Sequence, residues 1–174
     1  MIIFIIANVS SLINKGNKFF KEGKYDSALI YYNEAQMLSP NNPYANFNKG
    51  AALYKLGKYD EAIECFKNAL NTKKKNVKSK SFYNLGNSYF KKGDIENALK
   101  SYINTLKINP DDIDAKKNIE LIMRLKEKKE KEEKKEEKDK SVEQNLQVLK
   151  DEMKNMLQDY LKQQKKGGSR ARDW

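Results

Sequence analysis

Three segments decide the reading of this chain: Lys21-Glu22-Gly23-Lys24-Tyr25-Asp26, Lys55-Leu56-Gly57-Lys58-Tyr59-Asp60 and Lys91-Lys92-Gly93-Asp94-Ile95-Glu96. Each has a glycine between two helix-forming stretches. Outward from it, the same residue types return at the same distances. Gly16, Gly50 and Gly86 precede the turn glycines by seven residues, and Ala28, Ala62 and Ala98 follow them by five. Tyr32, Phe66 and Tyr102 come next, then Ala35, Ala69 and Thr105. Pro40 and Pro110 close the first and third units. The first two units are 34 residues apart (Gly16 to Gly50) and the next two 36 (Gly50 to Gly86). The two extra residues fall in Thr72-Lys73-Lys74-Lys75-Asn76-Val77-Lys78, which lacks the closing proline.

The chemistry of this beat is packing. Small residues at 16, 50, 86, 28, 62 and 98 mark close approaches between helices, where a larger side chain overpacks. Gly23, Gly57 and Gly93 are predicted to end a first helix in the left-handed conformation that glycine tolerates best. Pro40 and Pro110 stop the second helix. One such unit leaves an apolar face open, so about three are needed for stability.

The recurring positions over about residues 9–112 resemble the tetratricopeptide repeat (TPR) family. The resemblance implies an all-α fold: three helix-turn-helix units (about 9–42, 43–76 and 79–112) in a short right-handed α-solenoid. A capping helix is predicted over 113–125, with Asp111 or Asp112 as its N-cap and Ile113, Ile119, Ile122 and Leu125 on its apolar side. The resemblance also implies that the first helices line a concave, peptide-binding groove. Counted along each unit, its candidate residues are Ile13, Phe47 and Tyr83; Phe20, Tyr54 and Phe90; Asn14, Asn48 and Asn84; and Asn17 and Asn87, with Ala51 between them. Rings supply contact area and amides supply hydrogen bonds for an extended peptide or helix. Packing within the stack is the competing role for each position taken singly.

Some TPR domains bind the carboxy-terminal carboxylate of chaperones with two Asn and three cations. Asn17, Asn48 and Lys80 match that pattern, while Ile13 and Asn84 stand where two cations belong. One cation in place of three holds a carboxylate weakly, so Asn48→Ala with Lys80→Ala is expected to reduce partner binding only mildly.

Composition restricts the function. The chain has 174 residues, no histidine and one cysteine, Cys65, so a Cys–His nucleophile pair and an internal disulfide are both ruled out. No cofactor or metal site and no enzymatic role is expected, and Cys65 is read as a packing residue. The net charge of +11 invites a nucleic-acid reading. Only Arg124, Arg170 and Arg172 are arginines, however, and bidentate base or phosphate readout favours arginine. No specific nucleic-acid partner is expected.

With 34% charged residues, much of the chain must be solvated. Residues 126–140 alternate Lys and Glu with no apolar face, which predicts a fraying helical stalk or linker. Val142, Leu146, Leu149, Met153, Met156 and Tyr160 then follow heptad spacing, predicting an amphipathic, coiled-coil-like helix over 141–164. Leu146, Leu149, Met153, Met156, Tyr160 and Trp174 form a second candidate interaction surface, and residues 165–174 are predicted to be a flexible tail. At the other end, the apolar run over residues 1–8 has two readings: the remnant of an export signal or membrane anchor, or a lead-in that packs on the first repeat. The first is preferred here.

This order of parts, with residues 109–121 and the Arg172-Asp173-Trp174 ending, resembles the TPR proteins of bacterial aerotolerance (Bat) operons. That resemblance implies a scaffold at the cell envelope, membrane-associated or periplasmic, with von Willebrand A-domain membrane proteins as partners. The alternative is a cytoplasmic, co-chaperone-like module that reads peptide tails.

Overall fold

The computed structural model describes the backbone of residues 2–169 and the side chains of residues 8–156, 158 and 162. Among the described residues every regular element is a helix: α1 (Ile2–Lys21), α2 (Tyr25–Leu38), α3 (Pro43–Lys55), α4 (Tyr59–Ala69), α5 (Lys75–Lys91), α6 (Ile95–Ile108) and α7 (Ile113–Ser169). Two units are distinguished, residues 1–123 and residues 124–174.

In the first unit the helices pair as α1 with α2, α3 with α4 and α5 with α6. Each turn between partners is built on its glycine: φ is +76° at Gly23, +77° at Gly57 and +80° at Gly93. A Cβ at these glycines would meet nothing within 4 Å, so backbone conformation alone selects glycine there. Each first helix closes by the same pair of bonds. In the first unit Gly23 N–H donates to the Phe20 carbonyl at 3.0 Å and Lys24 N–H to that of Phe19 at 3.0 Å. This satisfies carbonyls that a helix end would otherwise leave open.

The glycines at 16, 50 and 86 serve a different purpose. A Cβ on Gly50 would lie 2.9 Å from Cδ1 of Phe66, and one on Gly16 would lie 2.4 Å from Cε1 of Tyr32. The ring of each second helix therefore rests on the bare backbone of the first. Ala28, Ala62 and Ala98 are fully buried at equivalent places on α2, α4 and α6. Successive pairs then stack: α2 on α3, α4 on α5, and first helix on first helix, α1 on α3 and α3 on α5. The second helices make no comparable contact with one another, so the first helices crowd together and line the inner side of the stack.

Between α2 and α3, Pro40 lies in the turn, Asn42 caps α3 by accepting from Tyr44 and Ala45 N–H (3.0 and 3.1 Å), and Pro43 opens the helix. The buried Asn46 donates to the Pro40 and Asn42 carbonyls. Between α4 and α5, which has no proline, residues 70–74 form a short link and α5 begins at Lys75, four residues before the predicted unit boundary. The third pair is covered by α7: Ala115 and Ile122 are fully buried against Ala98 and Tyr102. Asp112 accepts from Ala115 N–H at 2.9 Å, as expected of an N-cap. Ile119 packs there too, but Ile113 and Leu125 are exposed.

From Arg124 onward, the second unit is helical through Ser169. Ion pairs one turn apart, Lys128–Glu132 (3.8 Å) and Lys129–Glu133 (3.7 Å), run along the Lys/Glu stretch. Each contributes only ~0.2–0.5 kcal/mol to a helix.

The apolar run at the amino terminus is the beginning of α1, which continues through Asn8, Ser10, Ser11, Asn14, Lys15, Lys18 and Lys21. Among the described residues no helix is long and apolar enough to cross a membrane. The expected membrane-associated or periplasmic placement therefore does not hold: six apolar residues merge at once into a polar helix, well short of the ~20 a span requires.

Candidate functional site

A groove of about 400 Å³ opens between the N-terminal parts of α1, α3 and α5. Six of the predicted residues meet in it: Ile13, Asn14 and Asn17 from α1, Phe47 and Asn48 from α3, and Lys80 from α5. The side chain of Asn17 is held from two sides. Its Oδ1 accepts from the Tyr32 hydroxyl at 2.8 Å and from Nδ2 of Asn48 at 3.0 Å. With that oxygen occupied, the Asn17 amide presents its N–H donors. Burial pushes the Tyr32 phenol up to about 12, so it remains a neutral donor.

Lys80 is exposed and forms no ion pair among the described residues. It is the only cation lining the groove, and no carboxylate lines it. The arrangement provides amide donors and acceptors for a peptide backbone, the Phe47 and Tyr44 rings for apolar side chains, and one ammonium for a carboxylate.

The other predicted groove residues sit elsewhere. Phe20 borders a separate hollow beside Asn14 and Asn17, and its ring stands edge-on to Tyr25 with centroids 5.2 Å apart. Tyr54 packs on Tyr59 at 5.5 Å and Tyr83 on Tyr102 at 5.9 Å. The Asn84 carbonyl accepts from the Ser88 hydroxyl. Asn87 and Phe90 line a small hollow of about 70 Å³ with Tyr102 and Asn118. There the lock at Asn17 is repeated: Asn87 Oδ1 accepts from the Tyr102 hydroxyl (2.7 Å) and from Nδ2 of Asn118 (3.2 Å). Tyr44 and Asn76, which line the groove, were not among the predicted residues. Their positions lie in the first turns of α3 and α5, ahead of the repeating pattern.

In the second unit, Leu146, Leu149, Met153 and Met156 are exposed. The Tyr160 side chain and Trp174 lie outside the described residues. Among the described residues no group of three acidic or cysteine side chains is placed to hold a metal.

Models of the tetratricopeptide repeat match residues 79–112, and models of the TPR repeat match residues 16–57 and 52–93. No curated protein matches the chain. Several solved structures are similar. The first TPR of Spaghetti (RPAP3), bound to the HSP90 peptide SRMEEVD, is 28% identical with a TM-score of 0.65, over 68% of this chain and 93% of that one. The second TPR domain of human RPAP3, in complex with the HSP70 peptide SGPTIEEVD, is 26% identical with a TM-score of 0.64, over 68% of this chain and 98% of that one. The yeast Sti1 TPR2AB domain in its pHSP90 complex is 29% identical with a TM-score of 0.64, over 71% of this chain and 49% of that one.

Proposed function

This chain belongs to the tetratricopeptide repeat family, and from that premise we propose that it is a non-enzymatic, co-chaperone-like module that holds the extended tail of a protein partner in the groove of α1, α3 and α5. The observation that carries the proposal is the locked Asn17–Asn48 pair in one groove with the unpaired Lys80. Similar solved domains that hold acidic peptide tails support it. The reading is narrower than a full carboxylate clamp: Ile13 brings no charge and Asn84 does not line the groove, so a single cation serves the ligand.

The test is a fluorescence anisotropy titration of the full chain with labelled SRMEEVD and SGPTIEEVD. Saturable binding is expected for both. Asn48→Ala with Lys80→Ala should weaken it by about tenfold, the loss of one hydrogen bond and one exposed charge contact. A folded chain that bound neither peptide, or a double variant with unchanged affinity, would overturn the proposal.

The finer reading, an adaptor of the Bat aerotolerance type with von Willebrand A-domain partners, rests on residues 109–121 and the Arg-Asp-Trp ending. That ending lies outside the described residues, and the similar solved structures favour the peptide-tail reading over it.

A further inference from the structure

The groove does not end at Lys80. Asn76 and Lys80 also line a neighbouring hollow of about 290 Å³, shared with Lys75 and Ile108. Lys75 and Ile108 in turn border a third hollow, of about 420 Å³, with Lys73, Lys78 and Lys107. Lys74 stands over the Tyr44 ring at 5.0 Å and donates to its hydroxyl at 3.1 Å, on the wall of the groove itself. The depressions are thus continuous, and their far end is lined with lysine.

Six lysines (Lys73, Lys74, Lys75, Lys78, Lys80 and Lys107) make no ion pair among the described residues. The one carboxylate bordering these hollows, Asp112, is engaged in capping α7. The start of α5 adds to the field. Its N-cap, Lys74, makes no side-chain capping bond and its first turn has no acidic residue, so the positive end of the helix is uncompensated. Like charges gathered without counter-charges cost stability, and an anionic ligand relieves that cost. The lysines come from the segment that carries the two extra residues of the repeat, so they belong to this chain's departure from the regular beat.

We propose that the lysine edge at residues 73–78 and 107 is a second subsite for the same ligand, which takes a run of acidic side chains flanking the tail segment in the groove. This rests on the groove reading. The occupant is an acidic peptide and not a nucleic acid, because the edge is continuous with a peptide-sized groove. It also contains no arginine to fork onto phosphates, and its only neighbouring ring, Tyr44, is covered by Lys74.

The experiment compares two labelled peptides with the same tail, one preceded by four glutamates and the other by four glutamines, each titrated against the full chain. The glutamate peptide should bind about tenfold more tightly at low salt, from several exposed charge contacts of modest strength. The advantage should vanish near ~0.5 M salt, where screening is strong. K73Q, K75Q, K78Q and K107Q combined should abolish the advantage, leave binding of the glutamine peptide unchanged, and preserve the circular dichroism spectrum. If both peptides bound equally to the native chain, the lysine subsite would be wrong and the groove reading would survive. If neither bound, the groove reading itself would fail. A single-stranded oligonucleotide of the same charge that displaced the glutamate peptide as well as unlabelled peptide does would overturn the assignment to an acidic peptide.

Discussion

The hydroxyl of Tyr32 donates to Oδ1 of Asn17 across 2.8 Å, joining the second helix of the first repeat to the floor of the groove. Asn48 reaches the same oxygen from the next repeat. Packing on the outer helix therefore sets the orientation of a ligand-facing amide. Tyr32→Phe should cost ~0.5–1.5 kcal/mol of stability for the lost hydrogen bond. Because the Asn17 amide is then free to turn over, it should also weaken tail binding by severalfold. Urea unfolding and anisotropy, measured on the same samples, test the two effects together.

The contact between Gly50 and Phe66 makes a sharper prediction. Gly50→Ala gains about 1 kcal/mol of helix propensity. It also drives a Cβ to 2.9 Å from a fully buried ring packed against Leu53, Ile63 and Leu85, at a cost of ~1–3 kcal/mol. The net effect should be destabilising. In a Phe66→Leu background the clash is relieved and the same substitution should become stabilising. A double-mutant cycle from urea midpoints reads the change of sign directly.

Alkaline pH should unfold the stack in a defined window. Burial raises the Tyr32 phenol from its ordinary 10.0 to about 12, and the Tyr102 and Tyr54 phenols shift in the same direction for the same leading cause. Below pH 10 both folded and unfolded chains keep the proton, and the full stability is present. Above it the unfolded chain ionises first, so stability falls as pH rises through about 12. The urea midpoint followed against pH should show this decline, and Tyr32→Phe should make it shallower.

Ile122 tests whether the start of α7 belongs to the folded stack. It is fully buried with Ala98, Tyr102 and Ala115, although it lies ten residues beyond the last repeat. Ile122→Ala should destabilise the repeat unit by ~2–5 kcal/mol. The exposed Met123→Ala should change it little. Thermal or urea unfolding of both variants distinguishes the cases.

The fold was legible because its determinants are local and repeated. Gly23, Gly57 and Gly93 announce a left-handed turn, and Ala28, Ala62 and Ala98 announce close approach, whatever surrounds them. The site was only half legible. Counting positions along a unit assigned Phe20, Tyr54 and Tyr83 to the groove, but in the structure each ring packs on a neighbouring one. A one-dimensional register does not say which side of a helix the partner helix takes. The amide lock was present in the sequence as a pairing: Asn17 goes with Tyr32 and Asn87 with Tyr102, while Ala51 goes with Phe66, which has no hydroxyl to donate. Tyr44 and Asn76 gave no such signal, since they lie outside the repeating positions. The membrane reading of the amino terminus failed because hydrophobicity was weighed over six residues without the polar helix that follows them.

The early start of α5 has one more consequence. At 17 residues it exceeds the 13 of α3, so one side of the trough rises by about a turn where α5 begins. The two entrances are therefore unequal, one bordered by the exposed start of a helix and the other not. A bound strand would be read in a fixed direction, and a ligand of identical composition but inverted sequence should compete poorly.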